Sequence, residues 1–256
     1  MRRTFAAVVL ALLLALSGCS ALSGVGGTPT ADSGLSPDDA PPGVSAERGT
    51  LENASALLDA HTGTLAESGF RFELATNATV VQQGETRQVR RRQVTQGAPG
   101  VDQYNYTTFN PASRIDVWGN RSVQAAKFRL GDQVRYQRGE PASATTLTGQ
   151  NLFRRYLTSG EWAVTNVTER EGSTTLVTLT SSTPPTDAGA VPRNATDVRD
   201  YEGRIVVDED GRIYEFEASG AYTIDGDEGS FHVRYVLRSL SDPGVTKPGW
   251  VSDALS

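Results

Sequence analysis

From Phe70 to Leu237 the chain keeps returning to one pattern: apolar and polar residues alternate strictly, broken by short glycine- and acid-rich turns. The clearest run places Phe231, Val233, Tyr235 and Leu237 on one side and His232, Arg234 and Arg238 on the other. A period of two sends successive side chains to opposite faces of a strand, so these runs predict a sheet packed on one face and wet on the other, with antiparallel neighbours. The same grammar recurs. Phe70, Phe72 and Leu74 oppose Arg71, Glu73 and Ala75 in a run that continues to Val81 and returns from Arg87 to Thr95 across Gln82–Glu85. Tyr104 and Tyr106 follow, then Ile115 and Val117 before a Gly119-Asn120 turn, and Phe128–Leu130 and Val134–Tyr136 around Gly131-Asp132. Strands resume at Trp162–Val167 and Thr174–Thr180, pause at a proline-rich loop over Thr183–Thr196, and end in Arg204–Val207, Arg212–Ala218, Tyr222–Ile224 and Phe231–Leu237.

Two stretches change period. Leu51, Ala54, Leu57, Leu58 and Leu65 return at helical spacing before Ser68-Gly69, which predicts one amphipathic helix over 50–67. Asn151-Leu152-Phe153-Arg154-Arg155-Tyr156-Leu157 predicts a second, over 149–158. About ten consecutive strands with one helix before them and one among them give an α+β fold, in which a curved antiparallel sheet, an open half-barrel, wraps its apolar face around two helices. A flat sandwich is the alternative, and two good helices argue against it.

The N-terminus sets location. Arg2 and Arg3 precede an apolar run from Phe5 to Leu16, too short to span a bilayer and right for the core of a secretory signal peptide over 1–18. Leu16-Ser17-Gly18-Cys19 resembles the lipobox of secreted lipoproteins, which implies that Cys19, the only cysteine, becomes the lipidated first residue of the mature chain. An ordinary signal with an incidental cysteine is the competing reading. Residues 20–48 hold Ser, Gly, Pro, Ala, Thr and Asp with little to bury, so residues 19–48 are expected to be the anchor and a flexible tether with a reach of about 30 Å. Residues 49–256 then form a single domain.

The 256 residues carry a net charge of −6, which disfavours nucleic acid as a partner. Their basic residues are nearly all arginine, with Lys127 and Lys247 the two lysines. Enzymatic constellations are missing from the text: no Gly-x-Ser-x-Gly, no His-Glu-x-x-His, no phosphate-cradling glycine loop and no Cys-x-x-Cys. We therefore expect no catalysis, no cofactor and no metal. His61 falls on or beside the apolar stripe of the first helix and reads as a half-buried structural histidine, since His232 is its only imidazole companion. Asp208-Glu209-Asp210-Gly211 and Asp225-Gly226-Asp227-Glu228-Gly229 invite a calcium reading, but neither continues into a ligand ladder and each lies between strands, so both read as hairpin turns.

Arg87, Arg90, Arg91 and Arg92 form a basic cluster on the second strand, with Arg90 and Arg92 on one face and Arg91 on the other. Attraction to anionic headgroups or an acidic ligand is one reading; solvated edge-strand charge is the favoured one. Asn53, Asn77, Asn105, Asn120, Asn166 and Asn194 head Asn-x-Ser/Thr sequons and are candidate N-glycosylation sites. Asn120 and Asn194 are expected in loops, Asn53 inside the helix, and Asn77, Asn105 and Asn166 in strands.

The lipobox cysteine, the tether, the helix ending in residues 59–66 before a Phe-x-Phe strand, the Gly203–Ile213 hairpin and the closing Pro248-Gly249-Trp250-Val251 together resemble the uncharacterised lipoproteins of halophilic archaea. More distantly, the order of elements is similar to the LolA-type lipoprotein carriers and the mycobacterial LppX and LprG lipoproteins. That resemblance implies a concave face lined by Phe70, Phe72, Leu74, Tyr104, Tyr106, Phe231, Val233, Tyr235 and Leu237, sheltering a lipid or other hydrophobic ligand beneath the helices. The expected protein is thus exported and anchored through Cys19 to the outer face of the cytoplasmic membrane, with protein partners undefined. The alternative is a surface interaction or envelope-structural module with a filled core and no ligand.

Overall fold

The computed structural model describes residues 34–256 except 83, 171–173 and 188. The signal, Cys19 and the first part of the tether therefore lie outside the described residues. After β1 (Val44–Ser45) and β2 (Thr50–Leu51) comes helix α1 (Ala54–Ser68), then a meander of β3 (Phe70–Gln82), β4 (Glu85–Gly97), β5 (Gln103–Asn110), β6 (Ser113–Asn120), β7 (Gln124–Leu130) and β8 (Gln133–Gly139). Helices α2 (Ala144–Leu147) and α3 (Gln150–Leu157) lead to a second meander of β9 (Ala163–Arg170), β10 (Thr174–Ser181), β11 (Thr196–Asp208), β12 (Ile213–Ile224) and β13 (Asp227–Ser239). A C-terminal helix, α4 (Val251–Leu255), closes the chain.

All these strands join one open, curved antiparallel sheet of 13 strands, in the order β1-β2-β9-β10-β11-β12-β13-β3-β4-β5-β6-β7-β8. The two meanders are joined where β13 pairs with β3, with Tyr235 opposite Leu74 and Val233 opposite Thr76. Strands β1 and β8 form the two edges, and the chain crosses from β8 to β9 through α2 and α3. The expected α+β arrangement of a curved sheet around two main helices is what forms.

Burial alternates along β10 and along Phe231–Leu237 of β13, while β11 is buried continuously from Ile205 to Asp208. Leu57, Leu58 and Leu65 of α1 and Phe153 of α3 are fully buried against Phe70, Phe72, Phe216 and Tyr235 on the inner face of the sheet. Each such side chain contributes about 1.5–3 kcal/mol by leaving water. Asn53, expected inside the helix, is its N-cap: its side-chain oxygen accepts the Ala56 N–H at 3.1 Å. Gly69 ends α1 with a positive φ of 75°, a conformation costly to any residue with a Cβ.

Three further differences from the sequence reading have physical causes. Residues 35–48, expected as tether, pack on the body: Leu35, Pro41 and Val44 are buried, and the Glu52 and Asn53 N–H groups both donate to the Gly43 carbonyl. Backbone bonds hold this segment where composition promised nothing. The turn expected at Gly119-Asn120 begins one residue later, because the Asn120 side-chain oxygen accepts the Ser122 and Val123 N–H groups at 2.9 and 3.0 Å. Helix α4, too short for periodicity to reveal, packs Val251 and Trp250 against Trp118 and Ala125 on the outer face of the sheet.

Candidate functional site

The nine residues expected to line a ligand cavity do share the inner face. Beneath the helices this face interlocks with the rings of α3: Phe72 and Tyr235 lie 4.8 Å apart between ring centroids, Phe153 of α3 and Tyr235 4.9 Å, and Tyr156 of α3 and Phe216 of β12 5.0 Å. Phe70, Phe72, Tyr104, Phe231, Val233, Tyr235 and Leu237 are buried, whereas Leu74 and Tyr106 are half-buried. The helix-covered half of the sheet is filled with side chains.

At its centre is His61, fully rather than half buried. Its Nδ1 accepts the Ile213 N–H and its Nε2 donates to the Thr148 carbonyl, each at 3.1 Å, and its ring stands edge-on to Phe153. These bonds fix one neutral tautomer. Burial lowers the imidazole pKa to about 4, against the opposing bond to Thr148. With both nitrogens occupied and no ionisable partner among these contacts, His61 is a tie between α1, the α2–α3 junction and β12.

The acidic turns are hairpins. Asp208 spends its carboxylate on the Asp210 and Arg212 N–H groups, the Arg212 guanidinium and the Tyr214 hydroxyl, at 2.8–3.1 Å. Burial nevertheless raises this carboxyl above its ordinary value. Asp225 and Gly226, with φ of 51° and 91°, make the two-residue loop between Ile224 and Asp227. Among the described residues no group of His, Cys, Asp and Glu is placed to hold a metal ion. On the outer face, a polar groove of about 750 Å³ bordered by Glu161, Glu202, Arg204 and Glu217 lies near a His232–Glu217 hydrogen bond of 2.5 Å.

The inner face changes character from β4 to β8. Cross-strand register lays out one row of Gln93, Thr108, Ile115, Phe128 and Arg135, and a second of Thr95, Tyr106, Val117, Ala126 and Gln137. Cover thins out along these rows: Thr95, Thr108, Val117 and Ala126 are still buried, Tyr106, Ile115 and Phe128 are half-buried, and Leu130, toward the β7–β8 turn, is 61% exposed. Tyr106, Ile115, Val117 and Phe128 floor a cavity of about 280 Å³, with the Arg91 side chain at one end. Ile115 and Phe128 also border an adjoining groove of about 550 Å³ that runs to Leu130, Arg135 and Tyr136. Edge strand β8 leaves this region open on one side.

The basic cluster is placed by the same register. Arg91 points to the inner face, and Arg90 and Arg92 to the outer one. Strand β4 is not an edge strand along its whole length, since Arg92–Gly97 pair with β5, but Glu85–Arg91 project beyond that pairing. Of the sequon residues, Asn53, Asn77, Asn166 and Asn194 are exposed, while Asn105 and Asn120 are half-buried and Asn120 spends its oxygen on the turn. Sequence reasoning did not single out Ile115, Phe128, Leu130 or Arg135 as site residues. The available signal was the charge excess of the segment that contains them.

Fold and site define an open α+β half-barrel with one filled, helix-covered half and one uncovered half that is apolar and basic. The chain belongs to DUF7537, a family of unknown function whose profile matches residues 4–254. No curated protein matches it. Among solved structures it is similar to a DUF1329 family protein from Desulfovibrio piger, at 8% identity over 77% of this chain and 96% of that one, with a TM-score of 0.29. It is also similar to a putative outer membrane lipoprotein-sorting protein domain from Vibrio parahaemolyticus (11% identity, 79% of this chain and 99% of that one, TM-score 0.29). A LolA superfamily protein from Nitrosomonas europaea is a third (11% identity, 76% and 97%, TM-score 0.26).

Proposed function

We propose that this protein is an exported lipoprotein, anchored through Cys19 at the outer face of the cytoplasmic membrane, that binds a lipid or other hydrophobic ligand without catalysis. The ligand site is the uncovered inner face of β5–β8, not the space beneath the helices. One observation carries this reading: Tyr106, Ile115, Val117 and Phe128, together with the polar side chains of Thr108, Gln124 and Gln137, line about 280 Å³ of open space, while the aromatic residues under α1 and α3 fill theirs. Arg91 at the end of the cavity suits a ligand with a polar or anionic head. Among the described residues no helix is long and apolar enough to cross a membrane.

The test is native mass spectrometry with lipid extraction on the mature chain carrying Cys19→Ser, purified from its own host. A stoichiometric lipid, lost in Phe128→Glu while the near-UV circular dichroism is unchanged, is the expected result. A ligand-free mass for the folded chain overturns it and favours the second reading, a surface interaction module, for which the filled core is the supporting observation.

A further inference from the structure

The segment from Glu85 to Gly139, which forms β4–β8, holds ten arginines and lysines against four carboxylates, a net of +6 in a chain whose total is −6. The remainder of the chain therefore carries −12. Among the described residues, the large apolar side chains exposed to solvent are Val89, Phe109, Leu130, Val134 and Tyr136, and all five stand on these same strands. Several cluster at one end of the sheet. The β5–β6 turn follows Asn110 and the β7–β8 turn follows Leu130, so Phe109, Arg114, Arg129, Leu130, Val134 and Arg135 surround two neighbouring hairpin tips. The β3–β4 hairpin reaches past them, carrying Arg87, Val89, Arg90 and Arg91 beyond the last pairing with β5.

We infer that this end of the β4–β8 wing docks on the surface of an anionic lipid bilayer, with apolar side chains entering the headgroup layer and arginines pairing with lipid phosphates. Charge on both faces of the sheet favours a surface over a ligand held in one groove: Arg91 and Arg135 lie on the inner face, Arg90, Arg114 and Arg129 on the outer. Among the described residues, the wing's ion pairs take up Arg87, Arg92, Arg114, Arg121 and Arg129, leaving Arg90, Arg91, Arg135 and Arg138 without a carboxylate partner. Among those residues Arg90 and Arg91 donate only to the neutral side chains of Gln88 and Gln93, and a guanidinium with no carboxylate partner is suited to lipid phosphate, which it meets with two parallel hydrogen bonds. The opposite net charge of the rest of the chain is repelled by such a membrane, so the same field that attracts the wing also orients it. Docked this way, the groove that Ile115 and Phe128 share with the inner cavity opens toward the lipid.

The inference rests on the proposed export to a membrane face but not on a bound lipid. It is tested with the mature Cys19→Ser chain, which lacks an acyl anchor, in co-sedimentation with vesicles of phosphatidylcholine alone or mixed with phosphatidylglycerol. Binding to the mixed vesicles only is expected, reduced at least about tenfold by Arg91→Glu with Arg135→Glu and also reduced by Leu130→Ser with Val134→Ser. Arg154→Glu with Arg193→Glu, the same charge change outside the wing, is expected to change it little. All substituted side chains are exposed, and circular dichroism verifies each fold. Equal binding to both vesicle types, indifference to the double reversal, or binding to a soluble polyanion such as heparin without binding to vesicles overturns the inference. A ligand-free mass together with vesicle binding removes the ligand reading alone; a bound lipid without vesicle binding removes docking alone.

Discussion

His61 accepts the backbone N–H of Ile213 across 152 residues of sequence, at 3.1 Å, and through its other nitrogen holds the Thr148 carbonyl at the same distance. One imidazole thus joins the first helix, the helical crossover and the second meander. Its pKa of about 4 in the fold lies below the ordinary 6.5 of the unfolded chain. Between these values the unfolded state binds a proton that the folded state does not, so stability is full above pH 6.5 and falls as pH drops toward 4. The loss across that window is about 3 kcal/mol. Denaturant titrations at stepped pH check the slope. His61→Leu is expected to flatten its histidine component and to lower neutral-pH stability by about 3 kcal/mol through two unpaired backbone groups.

Tyr235 separates packing from polarity. Its ring is fully buried against Phe72 and Phe153, and its hydroxyl finds no protein hydrogen-bond partner among the described residues. Tyr235→Phe keeps the ring and is expected to leave stability unchanged or raise it by up to about 1 kcal/mol. Tyr235→Ala opens a cavity and is expected to cost about 3–5 kcal/mol. Urea denaturation of both variants distinguishes the two contributions.

Gly97 lies beneath the Phe70 ring. A Cβ there would stand 2.6 Å from the Phe70 Cε1, and Phe70 is completely buried with nowhere to move. Gly97→Ala is expected to destabilise by about 1–3 kcal/mol through overpacking, read as a lower melting temperature. Phe70→Leu in the same chain recovers part of the loss if the ring is the cause.

The C-terminus is a clasp on the outer face. Trp250 stacks on Tyr136 of edge strand β8 at 6.4 Å between centroids, Lys247 sits 5.6 Å above the Trp118 ring, and Val251 is fully buried. Removing residues 249–256 uncovers Trp118 and Ala125 beside an unpaired strand edge. Expected outcomes are a red-shifted tryptophan emission, new binding of a hydrophobic dye and concentration-dependent association on size exclusion.

The strands were legible because each one reports its own burial: Phe70, Phe72 and Leu74, or Phe231 to Leu237, repeat every second residue whatever they pair with. Turns were legible where a backbone conformation demands particular residues, as at Asp225-Gly226. The second helix was legible from its own apolar face. What local pattern determined, then, was the α+β class, the antiparallel sheet and the inner face.

Tertiary structure alone decided which part of that face is used up. Tyr235 and Tyr106 follow the same alternation, yet one is sealed by Phe153 and the other borders a cavity, because α1 and α3 reach only part of a wide sheet. Nothing local to Ile115 or Phe128 records where α1 or α3, each distant in sequence, comes to rest, since that depends on the pairing of β13 with β3 and on the tie made by His61. Arg91 and Arg135 likewise stand on a single face only once register aligns β4 with β8. Alternation is a property of each strand; cover and juxtaposition belong to the assembled sheet.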